Sequence, residues 1–142
     1  MTAKEYLKQA YSIDQRINAK IEQITSLREL TMKASATLSD MPKGTCDVHS
    51  KESIIAKMLD LENEINTDID ELVTLKKEIL SVIKSVDRAE YQTLLEMRYL
   101  CFKSWEQIAV ELGYSLHHLY KVHNAALRAC AETIKLIPKG IE

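Results

Sequence analysis

Glycine and proline are scarce, with 3 and 2 in 142 residues. An all-β architecture needs such residues at regular intervals to turn its strands, so one is excluded. β-Branched clusters bounded by turn residues are also missing, which leaves an all-α chain. No run approaches the roughly 20 apolar residues that span a bilayer, and the N-terminus lacks a signal-peptide core. No membrane partner is therefore expected, and the expected location is the cytoplasm. Cysteine is equally sparse. Cys46, Cys101 and Cys130 form no motif pair. Cys46 and His49 make a lone Cys-x-x-His without a second ligand pair, so neither metal nor cofactor is expected. Cys101 and Cys130 read as small buried hydrophobes. P-loop, GxGxxG, HExxH and GxSxG patterns are all absent. Three of the four histidines, His117, His118 and His123, crowd one stretch, yet no carboxylate stands three or four residues after any of them. A slim helical protein rarely offers a catalytic pocket, so no enzymatic activity is expected.

Hydrophobic residues make up 46% of the chain, which is ordinary for a folded protein and excludes global disorder. The formal net charge is −2. Residues 1–50 and 91–142 each carry +1, and residues 51–90 carry −4. The acidic excess therefore sits in the middle of the chain.

Residues 3–38 contain neither glycine nor proline and read as one helix of about 50 Å. Two seven-residue series run along it: Ala10, Ile17, Ile24, Thr31, Leu38 and Tyr6, Ile13, Lys20, Leu27, Ala34. Lys20 interrupts the second, and Ile21 beside it is read as carrying the apolar stripe. Such heptads make a seam for another helix. Pro42 and Gly44 fall in an expected loop at 39–52, whose polar tip holds Cys46 and His49. A second helix is expected over 52–85. Met58, Ile65, Leu72, Ile79 and Val86 recur every seven residues. Leu61, Leu75 and Val82 form the companion series, with Asp68 as an interruption and Ile69 as its substitute. The two helices are expected to fold back as a long antiparallel, coiled-coil-like helical hairpin over residues 1–86. The acidic cluster from Asp60 to Glu71 reads most simply as a solvated face, and alternatively as a contact for a basic partner.

Residues 87–142 read as a C-terminal three-helix module. Asp87 is placed to cap a helix over 88–101, whose Tyr91, Leu94, Leu95 and Tyr99 supply core. Ser104 with Gln107 can form a capping box at the start of the next helix. Trp105, Ile108, Ala109 and Leu112 share one face of that helix. Gly113 suits a left-handed C-terminal position, and Ser115 caps a last helix running from 116 to about 136. Leu119, Val122, Ala126 and Cys130 form its buried stripe. Ala109, Gly113, Leu119 and Val122 supply the small crossing residue, the turn and the packing residues of a helix-turn-helix. His117, Tyr120, Lys121, Asn124 and Arg128 share the outward face of the last helix, and none is acidic. Such a face suits phosphates and base edges, whereas a merely solvated face would mix Glu with Lys.

Glu90 to Arg128 resembles region four of bacterial sigma factors. L-L-E-M-R-Y-L at 94–100, S-W-E-Q-I-A at 104–109, L-G-Y-S at 112–115 and A-L-R at 126–128 carry the likeness. With Trp105, and with L-Y-K-V-H at 119–123, it is most similar to small sigma-like phage regulators of the ArpU/RinA type. Y-L-K-Q-A-Y-S-I-D-Q-R-I-N-A-K-I at 6–21 looks like the opening of such proteins, and no likeness is seen between the two stretches. The resemblance implies transcriptional regulation of phage or prophage genes through double-stranded DNA, in a bacterial host cell. Helical face and resemblance together place Leu116, His117, Tyr120 and Lys121 toward the major groove, with His118 beside them. Asn124 and Arg128 would reach base edge or backbone. Ser115, Lys103 and Ser104 would stand near phosphates at the helix starts. Sigma region four usually presents more arginine here, so Leu116 and the histidines leave the DNA element open. The three histidines imply tighter binding below about pH 6.5.

A module this weakly basic binds phosphate poorly as one copy. Two sources of affinity follow: a homodimer through the hairpin, or RNA polymerase as a partner. The seams can pair within a chain, between chains, or both. The rival reading is a non-enzymatic helical interaction or assembly protein that does not bind DNA.

Overall fold

The computed structural model describes residues 1–40 and 45–135, with side chains at 1–33 and 51–135. Every described element is helical: α1 (Ala3–Asp40), α2 (Thr45–Lys84), α3 (Ala89–Leu95) continued by a π-helical turn (Glu96–Leu100), α4 (Trp105–Leu112) and α5 (Leu116–Lys135). None is long and apolar enough to cross a membrane. α1 starts on a capping box that the sequence reading overlooked. The Glu5 amide donates to Thr2 Oγ1 at 3.1 Å, and the Thr2 amide donates to Glu5 Oε2 at 3.2 Å. α2 begins at Thr45, seven residues before the expected start, because the helix breakers all lie before it. Pro42 and Gly44 lie outside the described residues, as do the side chains of Cys46 and His49. Among the described residues, no three His, Cys, Asp or Glu side chains come together as a metal site.

The chain forms two compact units, Ile13–Glu71 and Met1–Ser12 with Leu72–Glu142. In Ile13–Glu71, α1 contributes buried Ile13, Ile17 and Ile24, and α2 contributes Leu61 and Ile65. The two interruptions of the heptads meet there. Lys20 Nζ lies 2.7 Å from Asp68 Oδ2 and 3.3 Å from Glu64 Oε1. Arg16 Nη2 lies 3.1 Å from both Asp68 Oδ1 and Glu71 Oε2. Partner numbers on α2 fall as those on α1 rise, so the helices run in opposite directions within this unit. The Lys20 ammonium, and after it the Arg16 guanidinium, hold the buried Asp68 carboxyl below the usual carboxylate range. This corrects two expectations. Ile21 and Ile69 do not replace the interruptions but are 47% and 42% exposed. The acidic cluster is only partly a free solvated face, since Glu64, Asp68 and Glu71 are ion-paired.

In the other unit, Leu7 and Ala10 of α1 join Ile79, Val82 and Ile83 of α2, Val86 just past its end, Leu95 and Tyr99, and Ala126 and Cys130 of α5 in one buried cluster. The ends of both long helices thus share a core with the C-terminal helices, and the division does not fall at residue 86. α2 closes with bonds from the Ser85 and Val86 amides to the Val82 and Ile83 carbonyls. Asp87 does not cap α3, whose N-cap is Arg88 without a side-chain bond. Instead the Gln92 side chain donates to the carbonyls of Val86 at 2.6 Å and Lys84 at 3.2 Å, satisfying the end of α2. The third helix, expected over 88–101, is α only to Leu95 and widens at Glu96–Leu100, where the Cys101 amide bonds back to Glu96. Cys101 is exposed, contrary to expectation, and Cys130 is buried. A second buried cluster holds Leu94, Ile108, Ala109, Leu119 and Val122, joining α3, α4 and α5.

Candidate nucleic-acid interface

The candidate interface is built from α4, a turn at 113–115, and α5. Ser104 caps α4, its Oγ accepting from the Gln107 amide at 3.2 Å. The described bond runs one way only, so the cap is not the reciprocal box expected from Gln107. α4 ends in a Schellman turn. Gly113 sits at φ 73, its amide bonds to the Val110 carbonyl, and the Tyr114 amide bonds to the Ala109 carbonyl at 2.9 Å. A Cβ at Gly113 would meet nothing within 4 Å, so glycine is required there by backbone conformation and not by space. Ser115 Oγ accepts from the His118 amide at 3.1 Å and so caps α5. The Tyr114 hydroxyl donates to Glu90, tying the turn to α3.

This local geometry sets which way α5 faces. Leu119, Val122, Ala126 and Cys130 are buried, as the stripe predicted. Ser115, Leu116, His117, His118, Tyr120, Lys121, Asn124 and Arg128 are all exposed. His117, Lys121, Asn124 and Arg128 have no side-chain partner among the described residues. Tyr120 stands edge-on to Trp105, with ring centroids 5.5 Å apart, and His118 edge-on to Tyr114 at 4.7 Å. Ser104 is exposed at the start of α4. Lys103 is not a free cation: its ammonium lies 2.9 Å from both carboxylate oxygens of Glu111. A phosphate there would have to displace Glu111.

His123 does not belong to the outward group of histidines. It is 5% exposed and shares a 2.7 Å hydrogen bond between Nε2 and the Tyr99 hydroxyl. Trp105 packs edge-on against its ring at 4.5 Å, and Arg98 lies over the Trp105 ring at 4.4 Å. Burial, helped by the positive charges of Lys4 and Arg98, pushes the His123 pKa down to about 4. Burial also pushes the Tyr99 hydroxyl up to about 12. His123 is therefore neutral across physiological pH and cannot supply the proton-linked binding expected of all three histidines. The signal was present in the sequence: residue 123 lies between Val122 and Ala126 on the same buried stripe. Trp105, placed by the sequence on one face with Ile108, Ala109 and Leu112, is half-buried and forms a hub joining Arg98, Tyr120 and His123.

No curated protein and no solved structure gives a significant match to this chain. A family model does match, over residues 31–131. The match runs from late α1 through most of α5, and so includes the middle of the chain, where no likeness to phage regulators is visible. Covering well over half of the residues, it shows that the chain belongs to the family described as protein of unknown function, DUF1492.

Proposed function

We propose that this protein is a sequence-specific, double-stranded-DNA-binding transcriptional regulator of phage or prophage genes, with α5 as the recognition helix of a sigma-region-four-like helix-turn-helix. The observation that carries this reading is the exposed face of α5. His117, Tyr120, Lys121, Asn124 and Arg128 project together, without an acid among them, from a helix fixed by the Gly113 turn and the Ser115 cap. Lys121 and Arg128 supply charge to phosphates or guanine edges, and Asn124 can bond an adenine edge in two places. Leu116, 39% exposed at the helix start, offers an apolar contact to a thymine methyl. Ser115 and Ser104 stand where helix starts meet phosphate. In a bacterial host the protein acts in the cytoplasm. Genome-wide DNA pull-down with the purified protein should recover discrete sites, and Lys121→Glu should lose most of them. Uniform recovery of all DNA, identical for both proteins, would remove the recognition helix from the account.

One copy carries little positive charge, so we place two copies on DNA through the antiparallel hairpin, as a homodimer with recognition helices about 34 Å apart or a multiple of it. Support comes from Ile13–Glu71. Within that unit Ile21, Leu30, Met32, Ile55, Leu59 and Ile69 remain 42–68% exposed, more large apolar surface than a solitary helix pair needs. The same residues favour the second reading, a helical interaction or assembly protein. Sedimentation with and without DNA separates the cases. A dimer on DNA is expected. A single copy on its target at tens of micromolar would favour RNA polymerase as the source of affinity.

A further inference from the structure

We propose a second anchoring site, resting on the DNA-binding reading: a recess between the N-terminal part of α1 and the start of α4 that takes one phosphodiester of the duplex backbone. The recess measures about 380 Å³ and lies wholly within Met1–Ser12 and Leu72–Glu142. Lys8 and Arg98 supply two cations, Ser12 and Ser104 two hydroxyls, and the rings of Tyr11 and Phe102 a wall. No carboxylate lines it, although acidic residues outnumber basic ones in the chain, 21 to 19. Such a cavity suits a phosphate with an attached sugar, the anion on the cations and the sugar against the rings.

Three features show that this recess is held in shape. The Arg98 guanidinium donates through Nη1 to the Lys103 carbonyl at 2.9 Å and lies on the Trp105 ring, so its plane is fixed. Of its five donors, the others remain for a ligand. The chain reaches Arg98 through the π-helical turn Glu96–Leu100, a rare form frequently seen at functional sites. Phe102 then adopts φ 58, a left-handed conformation that a bulky residue rarely takes. That conformation sets its ring edge-on to Tyr11, with centroids 5.5 Å apart, and Lys76 Nζ stands 4.7 Å from the same ring. Such a conformation persists only where the surrounding packing over-determines it, and such residues cluster at active sites and ligand clamps.

Position gives the occupant. Ser104 is the N-cap of α4, the first helix of the pair, which in helix-turn-helix docking crosses the sugar–phosphate backbone. A phosphate in the recess would lie on that path, and Lys8, which the sequence reading left out of the interface, would join it.

The test uses the full chain and a short duplex of random sequence, titrated over a range of salt. Lys8 is exposed and has no described partner, so Lys8→Gln should melt like the wild type. It should bind duplex about three- to tenfold more weakly, equally on all sequences, and its slope of log K against log salt should fall by about 1. Arg98→Lys keeps the charge but loses the fork, and should weaken binding with the wild-type slope. Lys121→Gln serves as the control for the recognition helix. If Lys8→Gln keeps the wild-type slope and affinity while Lys121→Gln does not, the recess is not a phosphate site and the recognition helix stands. A wild type that binds no duplex at any salt overturns both. Deoxyadenosine monophosphate, added alone, distinguishes a free phosphate ester. If it binds below about 1 mM, loses binding in Lys8→Gln, and duplex binding is untouched by the same change, the backbone assignment is overturned.

Discussion

Ile65→Asp should lower the stability of the protein by about 3–5 kcal/mol, and Ile69→Asp by no more than about 1. Both replace an isoleucine of α2 with the same carboxylate, four residues apart. Ile65 is 8% exposed beside the α1 seam, so its replacement buries a charge with no partner, Lys20 and Arg16 being already engaged by Asp68, Glu64 and Glu71. Ile69 is 42% exposed, and a carboxylate there stays in water. Against a typical total of roughly 5–15 kcal/mol, the first change removes a large share of the stability. Urea unfolding of the three proteins measures the difference. Equal losses at the two sites would show that the helix faces are assigned wrongly. A loss for Ile69→Asp that grows with protein concentration would instead mark that face as the contact between two copies, because only an associating surface makes stability depend on concentration.

The same pair of residues shows how much of the fold is legible in the sequence. Seven-residue spacing correctly marks Ala10, Ile13, Ile17 and Ile24 as buried, because apolar side chains report a seam directly. It fails at Lys20 and Asp68. A hydrophobic template scores each as an interruption and looks to the neighbour, whereas the physical solution is to set the two interruptions against each other. Pairing across two helices is invisible to any rule that reads one helix at a time. The stretch from Ser104 to Cys130 was more legible, since its signals are local: a glycine that must take φ 73, a serine at the start of α4 and of α5, and a stripe from Leu119 to Cys130. The π-helical turn and the left-handed Phe102 have no sequence signature, because both arise from tertiary packing. Lys8 was missed for a related reason. Nothing in its neighbourhood along the chain connects it with Arg98, 90 residues away, and only the fold brings both to one recess. The shared core of Leu7, Ala10, Ile79 and Ile83 with α5 is likewise a long-range fact, and it moves the division of the chain away from residue 86.

The buried Tyr99–His123 pair should make stability fall on mild acidification. The folded protein holds His123 at a pKa of about 4, against 6.5 for a free histidine. Between these values the unfolded chain binds the proton that the folded chain refuses, so stability rises with pH across that window and is fully present above it. That difference corresponds to about 3 kcal/mol. At pH 4.5 the Asp68 ion pairs do not confuse the result. Its carboxyl is held below the usual carboxylate range, so that contribution is lost only at lower pH. His123→Phe isolates the effect. At pH 7 the variant should be less stable than the wild type by about 1–3 kcal/mol, because the Tyr99 hydroxyl keeps its burial and loses its partner. At pH 4.5 the gap should close or reverse, since phenylalanine has no proton to refuse. Adding Tyr99→Phe should restore stability at both pH values by removing the stranded hydroxyl. Urea unfolding at the two pH values reads all of this. A wild type and a His123→Phe variant that lose stability in parallel from pH 7 to pH 4.5 would show that His123 is not held neutral in the folded protein.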